Sequence, residues 1–349
     1  MKVNERLFST SGEEPVVKAY TLENEQGAAV EILDFGGIIR RICLPDRQGN
    51  LADIALGQDS LTAYHQNPSC TGSLLGRNAN RIANASFSID GQTYDLDRNL
   101  GLHNIHGGGQ GYARQKFAAT TLVNERSASL ILHHLDRGEG GFPGVVDFTV
   151  TFTFSEDLRL DIEYRGLPSE NTVLNPSHHC YFNLGGHDSG NIENHQLKIN
   201  AAYFTPNDFE CMPTGEIKSV RNTAFDFRTS RRIGSGLMSA DEQIMRCNGY
   251  DHNFCLASRG YRLAAEVADP ASGRRMLLYT DMPGVQLFTA NNMPPIPCKD
   301  GVVYYNHQGF CLETQYYPNS ANQSHFPSPF QSKDRWFTSR TTFCFTTDG

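Results

Sequence analysis

The chain has 349 residues, of which 39% are hydrophobic and 19% are charged, and its formal net charge is −8. This composition supports a packed core and excludes a disordered chain. Because an acidic protein repels phosphate backbones, nucleic acid is not expected as a partner.

The N-terminal region contains no apolar stretch that resembles a signal peptide. No run of about 18 apolar residues occurs anywhere, so no membrane span is expected. The nine cysteines are scattered from Cys43 to Cys344, and they form no C-x-x-C pair. This pattern predicts reduced thiols in a cytoplasmic protein.

The first predicted elements are a short helix and a hairpin. Helical periodicity is weak and brief over residues 61–66. Further on, residues 86–89 and 92–94 flank Asp90-Gly91. Asp-Gly is a preferred two-residue hairpin turn because both positions need a positive φ. We therefore predict a hairpin over residues 86–94.

Strict alternation of apolar and polar residues then continues along the chain. It runs over residues 147–154 and resumes over 158–164 after a polar interruption, which predicts a second hairpin. A short helix is possible over residues 241–246. Residues 264–267 and 276–279 predict a third hairpin, joined by a turn rich in glycine and proline.

Many short strands joined by hairpin turns are typical of an all-β fold, here a large antiparallel β-sandwich. Neither helical segment is long enough to form a layer of its own. We find no internal repeat, low-complexity tract or linker. The sequence therefore predicts a single domain over residues 1–349.

Two polar loops carry side chains suited to binding. Residues 76–84 contain two arginines and three asparagines, which suit sugar-like hydroxyl groups but also suit a polar loop with local turns. Residues 103–111 are rich in glycine around His106. No Gly-Lys-Ser/Thr follows, so a phosphate loop is not predicted. A glycine-rich turn that holds His106 at a cleft fits better.

Two further segments carry candidate acid and base groups. His178 and His179 are adjacent, so on a strand they point to opposite faces and cannot bind one metal together. Cys311, Glu313 and Gln315 share one face of a predicted strand. A single glutamate is usually a solvated surface residue, but a carboxylate beside a glutamine is natural in a polar cleft.

Taken together, the polar segments resemble the aldose 1-epimerase, or galactose mutarotase, family from about Phe35 to Pro327. Six motifs of this family occur in its order. They are GRNANRIA at residues 76–83, IHGG at 105–108, EGGFPG at 139–144, HCYFNL at 179–184, DHNF at 251–254 and LETQ at 312–315.

The resemblance implies a galactose-mutarotase-like β-supersandwich and assigns roles residue by residue. Glu313 is expected to be the general base and His179 the general acid. Contacts to sugar hydroxyls are expected from five residues: Asn80, Arg81, His106, Asp251 and Gln286. The chain departs from the family at His178, where asparagine is usual, and at residues 289–292, where a T-G-N run is common.

The resemblance also implies an isomerase that interconverts the α and β anomers of a free aldohexose such as galactose or glucose. Ring opening removes a proton from the C1 hydroxyl and adds one to the ring oxygen, which suits a carboxylate and an imidazolium. No electron or group is carried away, so neither a cofactor nor a metal is expected. An imidazolium at neutral pH needs a negative neighbour, such as Asp251 or Glu313.

Three alternatives stay open from the sequence. The first is a non-catalytic sugar-binding protein on the same fold. The second is a glycoside hydrolase that uses Asp251 and Glu313 as its two carboxylates. The third acts on hexose 6-phosphates, although no additional Arg/Lys cluster lies near the motifs. The expected partner is a monosaccharide alone, and the chain is expected to be a monomer or a homodimer.

Overall fold

Short antiparallel strands make up most of the regular structure in the computed structural model, which describes residues 1–9, 12, 14–66, 69–256 and 260–348. In chain order the strands are β1 (Lys2–Leu7), β2 (Lys18–Glu23), β3 (Ala29–Leu33), β4 (Ile39–Pro45), β5 (Leu51–Asp53), β6 (Leu74–Leu75), β7 (Arg81–Ile82), β8 (Ser86–Ile89), β9 (Gln92–Asp95), β10 (Asn104–Ile105), β11 (Ala118–Val123), β12 (Ser127–Asp136), β13 (Val146–Ser155), β14 (Arg159–Pro168), β15 (Thr172–Val173), β16 (Ser177–His178), β17 (Gln196–Ile199), β18 (Ala201–Thr205), β19 (Lys218–Ser219), β20 (Arg231–Arg232), β21 (Asp251–Leu256), β22 (Arg262–Ala268), β23 (Arg274–Thr280), β24 (Gly284–Phe288), β25 (Cys311–Gln315), β26 (Phe330–Gln331) and β27 (Phe337–Thr347).

Three large sheets organise these strands. The largest has nine strands in the order β11-β12-β13-β14-β27-β23-β22-β17-β20. A second sheet runs β1-β2-β3-β4-β5, and a third runs β19-β18-β21-β24-β25. One continuous apolar core contains side chains from all three sheets, such as Val30, Phe152 and Leu312. The predicted all-β class, an antiparallel β-sandwich, is confirmed.

The three predicted hairpins are all present. β8 pairs with β9 across Asp90-Gly91, where both residues have positive φ (54° and 77°) as the turn requires. β13 pairs with β14, and β22 pairs with β23, at the positions predicted for the second and third hairpins. Alternating burial along β13 shows that every second side chain enters the core.

The helices are few and short, as predicted. They are α1 (Leu61–His65), α2 (Ile233–Leu237) and α3 (Glu242–Arg246). Side chains of Ser60 and Asp241 cap the N-termini of α1 and α3. The sequence analysis missed α2, because its two glycines disfavour a helix. A Cβ at Gly236 would lie 1.6 Å from the Tyr250 hydroxyl oxygen, so close packing explains this glycine. None of the helices in the described ranges is long and apolar enough to cross a membrane.

The third sheet presents polar residues on one face. In its register Asn253, Gln286 and Glu313 are directly opposite one another on β21, β24 and β25. Side chains two residues apart on a strand point the same way, so Asp251 and Cys311 share this face. Thr314 points the other way and contacts Thr341 of β27. The sheet register therefore gathers segments distant in sequence into one polar surface.

Candidate active site

Glu313 and His179 meet at the centre of this surface. Oε1 of Glu313 lies 3.7 Å from Nε2 of His179. Both residues are buried, with exposed fractions of 2% and 6%. His179 directly follows β16, and its backbone N–H donates to the Ser73 carbonyl at 2.8 Å. The structure thus brings together the two side chains expected to act as acid and base.

Three other side chains fix the His179 ring. The Tyr181 ring stacks on it with a centroid distance of 4.9 Å and an interplanar angle of 13°. Phe288 meets the ring edge-on at 5.9 Å. On its far side, Nδ1 lies 3.3 Å from Sγ of Cys311. These contacts leave Nε2 to face Glu313.

His178 lies on the opposite side of its strand, as predicted. Its Nε2 lies 3.1 Å from the carbonyl oxygen of Gly37, and its ring packs edge-on against Phe152 in the core. His178 therefore packs in the core, whereas His179 lies beside Glu313.

Asp251 connects two of the expected sugar-contacting side chains. Its Oδ2 accepts a hydrogen bond from Nη2 of Arg81 at 2.9 Å, and its Oδ1 accepts one from Nε2 of Gln286 at 2.7 Å. Oε1 of Gln286 accepts a weak bond from Gln315 at 3.5 Å. Asp251 thus holds the Arg81 and Gln286 side chains in fixed orientations.

His106 and Asn80 approach from two neighbouring loops. Both residues have positive φ, 55° and 61°, which asparagine and histidine tolerate better than most residues. The Asn80 backbone N–H donates to Nδ1 of His106 at 3.2 Å, and the Asn80 carbonyl accepts the His106 N–H at 3.0 Å. The His106 ring lies 5.3 Å from the His179 ring. All seven residues expected at the site therefore lie in one connected cluster.

Arg77, the other arginine of residues 76–84, takes no part in this cluster. It forms a buried bidentate ion pair with Asp136, at 2.7 Å from Nε and 2.6 Å from Nη2. It also donates to the carbonyls of Pro143 and Gly144 in the EGGFPG turn. The Tyr112 hydroxyl donates to the same Asp136 carboxylate. Arg77 therefore anchors the loop that carries Asn80 and Arg81.

Burial sets the protonation of the central pair. It raises the pKa of the Glu313 carboxyl well above its usual range, and the charge of Asp251 adds to this effect. It lowers the pKa of His179 to about 4, although Asp251 opposes this shift. Asp251 does favour the charged imidazole, as the sequence suggested, but desolvation of the ring outweighs this attraction. Burial thus favours the neutral form of both side chains, a carboxylic acid at Glu313 and an imidazole at His179.

Asp251 behaves differently from Glu313, although both are buried. Burial favours its neutral form, but the charge of Arg81 and hydrogen bonds from Arg81 and Gln286 outweigh burial and lower its pKa. Desolvation likewise opposes the Arg81 charge, and Asp251 outweighs it so that the pKa of Arg81 is raised. The site thus holds one permanent ion pair beside one proton-sharing pair.

His106, His179 and Glu313 have ligand atoms within 4.8 Å of one another, which is compatible with a metal ion. However, Nδ1 of His106 accepts a hydrogen bond, so its neutral ring keeps the proton on Nε2. Burial lowers the pKa of His106 well below its usual value, which keeps the ring neutral. Nε2 is therefore a hydrogen-bond donor, which suits a hydroxyl oxygen better than a metal.

A second acidic cluster, formed by Asp53, His187 and Asp300, lies elsewhere in the fold. Nζ of Lys299 lies 2.7 Å from Asp53, and Arg41 contacts both aspartates at 3.2 and 2.6 Å. Because Lys299 and Arg41 already neutralise the negative charge of these carboxylates, we interpret the cluster as a structural ion-pair network.

The sequence analysis missed the residues that position the pair. Tyr181 and Phe288 enclose His179, and the role of Cys311 at Nδ1 was not foreseen. A signal existed for each, because Tyr181 and Phe288 lie two residues beyond His179 and Gln286, and Cys311 lies two residues before Glu313. This spacing places Phe288 on the strand face of Gln286 and Cys311 on that of Glu313, whereas His179 and Tyr181 lie in the segment after β16.

The fold and the polar cluster define a carbohydrate-active protein of the galactose-mutarotase-like class. The structure of galactose 1-epimerase from Lactobacillus acidophilus NCFM superposes with a TM-score of 0.88 and 25% identity, covering 100% of this chain and 99% of that one. The chain belongs to the aldose 1-epimerase family, whose model matches residues 18–344. It is therefore an isomerase by family.

Curated relatives agree with this assignment. Galactose mutarotase of Bos taurus is 39% identical over 313 residues, covering 89% of each chain. Aldose 1-epimerase of Escherichia coli (strain K12) is 32% identical over 311 residues, covering 88% of this chain and 89% of its own. These relatives support a catalytic role over the non-catalytic sugar-binding alternative.

Proposed function

We propose that the protein interconverts the α and β anomers of a free aldohexose such as galactose or glucose. The observation that carries this proposal is the buried pair of Glu313 and His179, 3.7 Å apart within a surface of hydrogen-bonding side chains. One pyranose ring can touch both groups at this separation. The names of the relatives, which include galactose, support the sugar class.

Glu313 is the proposed base and His179 the proposed acid of ring opening. The base takes the proton of the C1 hydroxyl while the acid protonates the ring oxygen, and the C1–O5 bond breaks to leave an aldehyde. Rotation about C1–C2 exposes the other face of the carbonyl. Closure reverses both proton transfers, so the enzyme returns to its initial state without a cofactor.

The pair must hold its proton on His179 when the reaction starts. The combinations carboxylate with imidazolium and carboxylic acid with imidazole contain the same number of protons, so one transfer interconverts them. Oε2 of Glu313 has no hydrogen-bond partner within the described part of the chain. Sugar hydroxyls that donate to this carboxylate lower its pKa and favour the charged combination.

Five polar residues are the proposed sugar-binding groups: Asn80, Arg81, His106, Asp251 and Gln286. Asp251 fixes Arg81 and Gln286, and His106 offers a donor at Nε2. A sugar epimer that lacks a matching hydroxyl leaves such a group unpaired, which costs about 1–3 kcal/mol for each neutral group. This penalty is the proposed source of selectivity among aldoses.

Three coarser proposals accompany this function. The shared apolar core of the three large sheets supports a single domain over residues 1–349. The nine cysteines, all free thiols in the structure, support a cytoplasmic location. The chain acts on a monosaccharide as a monomer or a homodimer.

Polarimetry of freshly dissolved α-galactose and α-glucose tests the function directly. We expect the protein to accelerate the approach to the anomeric equilibrium, and a panel of aldoses ranks its substrates. Sugar binding without acceleration would support the non-catalytic reading and overturn the proposal. Release of galactose from a β-galactoside would instead support the glycosidase reading.

A further inference from the structure

Two cysteine thiols lie in contact beside the candidate active site. Sγ of Cys211 is 3.2 Å from Sγ of Cys247, although the residues are 36 positions apart in sequence. Cys211 is partly exposed, whereas Cys247 is buried. A disulfide bond is about 2.05 Å long, so the two sulfurs need to approach by only about 1 Å to form one.

The two sulfurs sit on elements that already hold each other. Cys211 lies in the loop 206–213, which is closed by a bridge between Asn207 and Pro213. Cys247 is the C-cap residue of α3. Asn207 N–H donates to Oε1 of Gln243 at 2.7 Å, and Nε2 of Gln243 donates back to the Asn207 carbonyl at 3.0 Å. This reciprocal pair keeps the thiols close without a covalent bond.

The loop 206–213 touches the site from two sides. Nδ2 of Asn207 donates to the backbone carbonyl of Asp251 at 2.8 Å and lies 3.8 Å from Sγ of Cys247. At the other end, Oε2 of Glu210 lies 3.6 Å from Nε2 of His103, three residues before His106. A bond between the sulfurs therefore acts on the segments that carry Asp251 and His106.

Cys211 has the properties of an attacking thiol. The hydrogen bond with Cys247 lowers the pKa of its thiol to about 7; burial and the negative charge of Asp251 oppose the shift, and the positive charge of Arg81 assists it. The thiolate is the reactive form, and a thiol with a pKa near the ambient pH attacks disulfides best. The hydrogen bond with Cys211 and burial raise the pKa of Cys247, so Cys211 ionises first.

We propose that Cys211 and Cys247 form a reversible disulfide that links the loop 206–213 to α3 and weakens sugar binding. The oxidant is a low-molecular-weight disulfide. The Cys211 thiolate attacks it, forms a mixed disulfide and releases one thiolate. Cys247 then loses its proton and attacks the Cys211 sulfur, which releases the second thiolate. Two protein thiols are oxidised by two electrons, and one external disulfide becomes two thiols.

The effect on the sugar follows from Asn207 and rests on the proposed function. Closure removes the Cys247 thiol that contacts Nδ2 of Asn207, whose other bond supports the Asp251 backbone. Asp251 in turn orients Arg81 and Gln286. Glu313 and His179 contact neither element in the contacts described above. We therefore expect KM to rise by about fivefold or more, near the lower range of coupling between sites, with kcat within about twofold.

Oxidation of the purified chain with glutathione disulfide tests the bond itself. Peptide mapping after alkylation should show one crosslink between Cys211 and Cys247 in the wild type and in the control Cys344→Ser, reversed by dithiothreitol. Cys247→Ser should stop at a glutathione adduct on Cys211, and Cys211→Ser should form no crosslink at this position. A stable glutathione adduct on wild-type Cys211, or no modification there, would overturn the proposal.

Polarimetry on the oxidised and reduced forms tests the consequence. A higher KM in the crosslinked form, absent in Cys211→Ser treated identically, supports the link to sugar binding. An unchanged KM in fully crosslinked protein refutes that part. If the reduced enzyme shows no mutarotation, the proposed function fails, whereas the peptide map still decides whether the disulfide forms.

Discussion

Replacing Glu313 by glutamine should separate catalysis from folding. The substitution keeps the size and one carbonyl oxygen of the side chain, but it removes the group that accepts the C1 hydroxyl proton. Glu313 is 2% exposed and its Oε2 has no partner in the described ranges, so the folded protein gains little from the carboxylate itself. We expect a large loss of turnover and no loss of stability.

The two magnitudes follow from separate arguments. Loss of a general base costs about 10² to 10⁴ in rate, which is about 2.7 to 5.4 kcal/mol in the activation free energy. The stability effect depends on pH, because burial raises the folded-state pKa of Glu313 well above the ordinary value of 4.5 that it keeps in the unfolded chain. Between these two pKa values the folded state binds the extra proton, so wild-type stability falls as pH rises. The glutamine variant lacks this pH-dependent loss. Its free energy of unfolding relative to the wild type therefore rises by about 1.4 kcal/mol per pH unit between the two pKa values.

Polarimetric turnover and urea unfolding at several pH values measure both effects. Glu125→Gln is a suitable control because Glu125 is exposed, and it should match the wild type in both assays. Near-normal turnover in Glu313→Gln would remove Glu313 from the mechanism. A stability advantage that shrinks as pH rises would show that the carboxyl is already ionised in the folded protein.

Three further outcomes are expected. His179→Asn should lower turnover by at least about 10², whereas His178→Asn should mainly lower the urea midpoint, because His178 packs against Phe152 and the Gly37 carbonyl; the reverse ranking would contradict the site. Cys311→Ala should lower kcat with little change in KM, since the sulfur lies 3.3 Å from Nδ1 of His179, and Cys311→Ser should recover part of the lost kcat. Stability should fall as pH drops from about 6.5 to 4, because burial lowers the pKa of four histidines to about 4 and the unfolded state binds protons first; a urea midpoint equal at pH 7 and pH 5 would contradict this.

Local patterns predicted the strands and the faces of the site well. Alternation over residues 147–164 placed β13 and β14, and Asp90-Gly91 placed the turn of β8 and β9. The same period-two argument put Cys311 and Glu313 on one face. These predictions succeed because side-chain direction in a strand depends only on parity along the chain.

Long-range pairing could not be predicted in the same way. Arg77 and Arg81 lie in the same polar segment, but Arg77 pairs with Asp136 and Arg81 pairs with Asp251. Nothing within residues 76–84 distinguishes the two arginines. Only the closing of the sheets decides which carboxylate each one meets, so the sequence motif alone overstates the number of sugar-facing groups.

Protonation depends on the fold even more strongly. The sequence suggested that a negative neighbour, Asp251 or Glu313, favours the charged imidazole of His179. The fold buries both groups, and desolvation favours the neutral form of each. In the proposed mechanism, hydrogen bonds from sugar hydroxyls favour the carboxylate form of Glu313 and so shift the proton toward His179. In this mechanism, binding of the sugar hydroxyls both orients the substrate and creates the charged pair that ring opening uses.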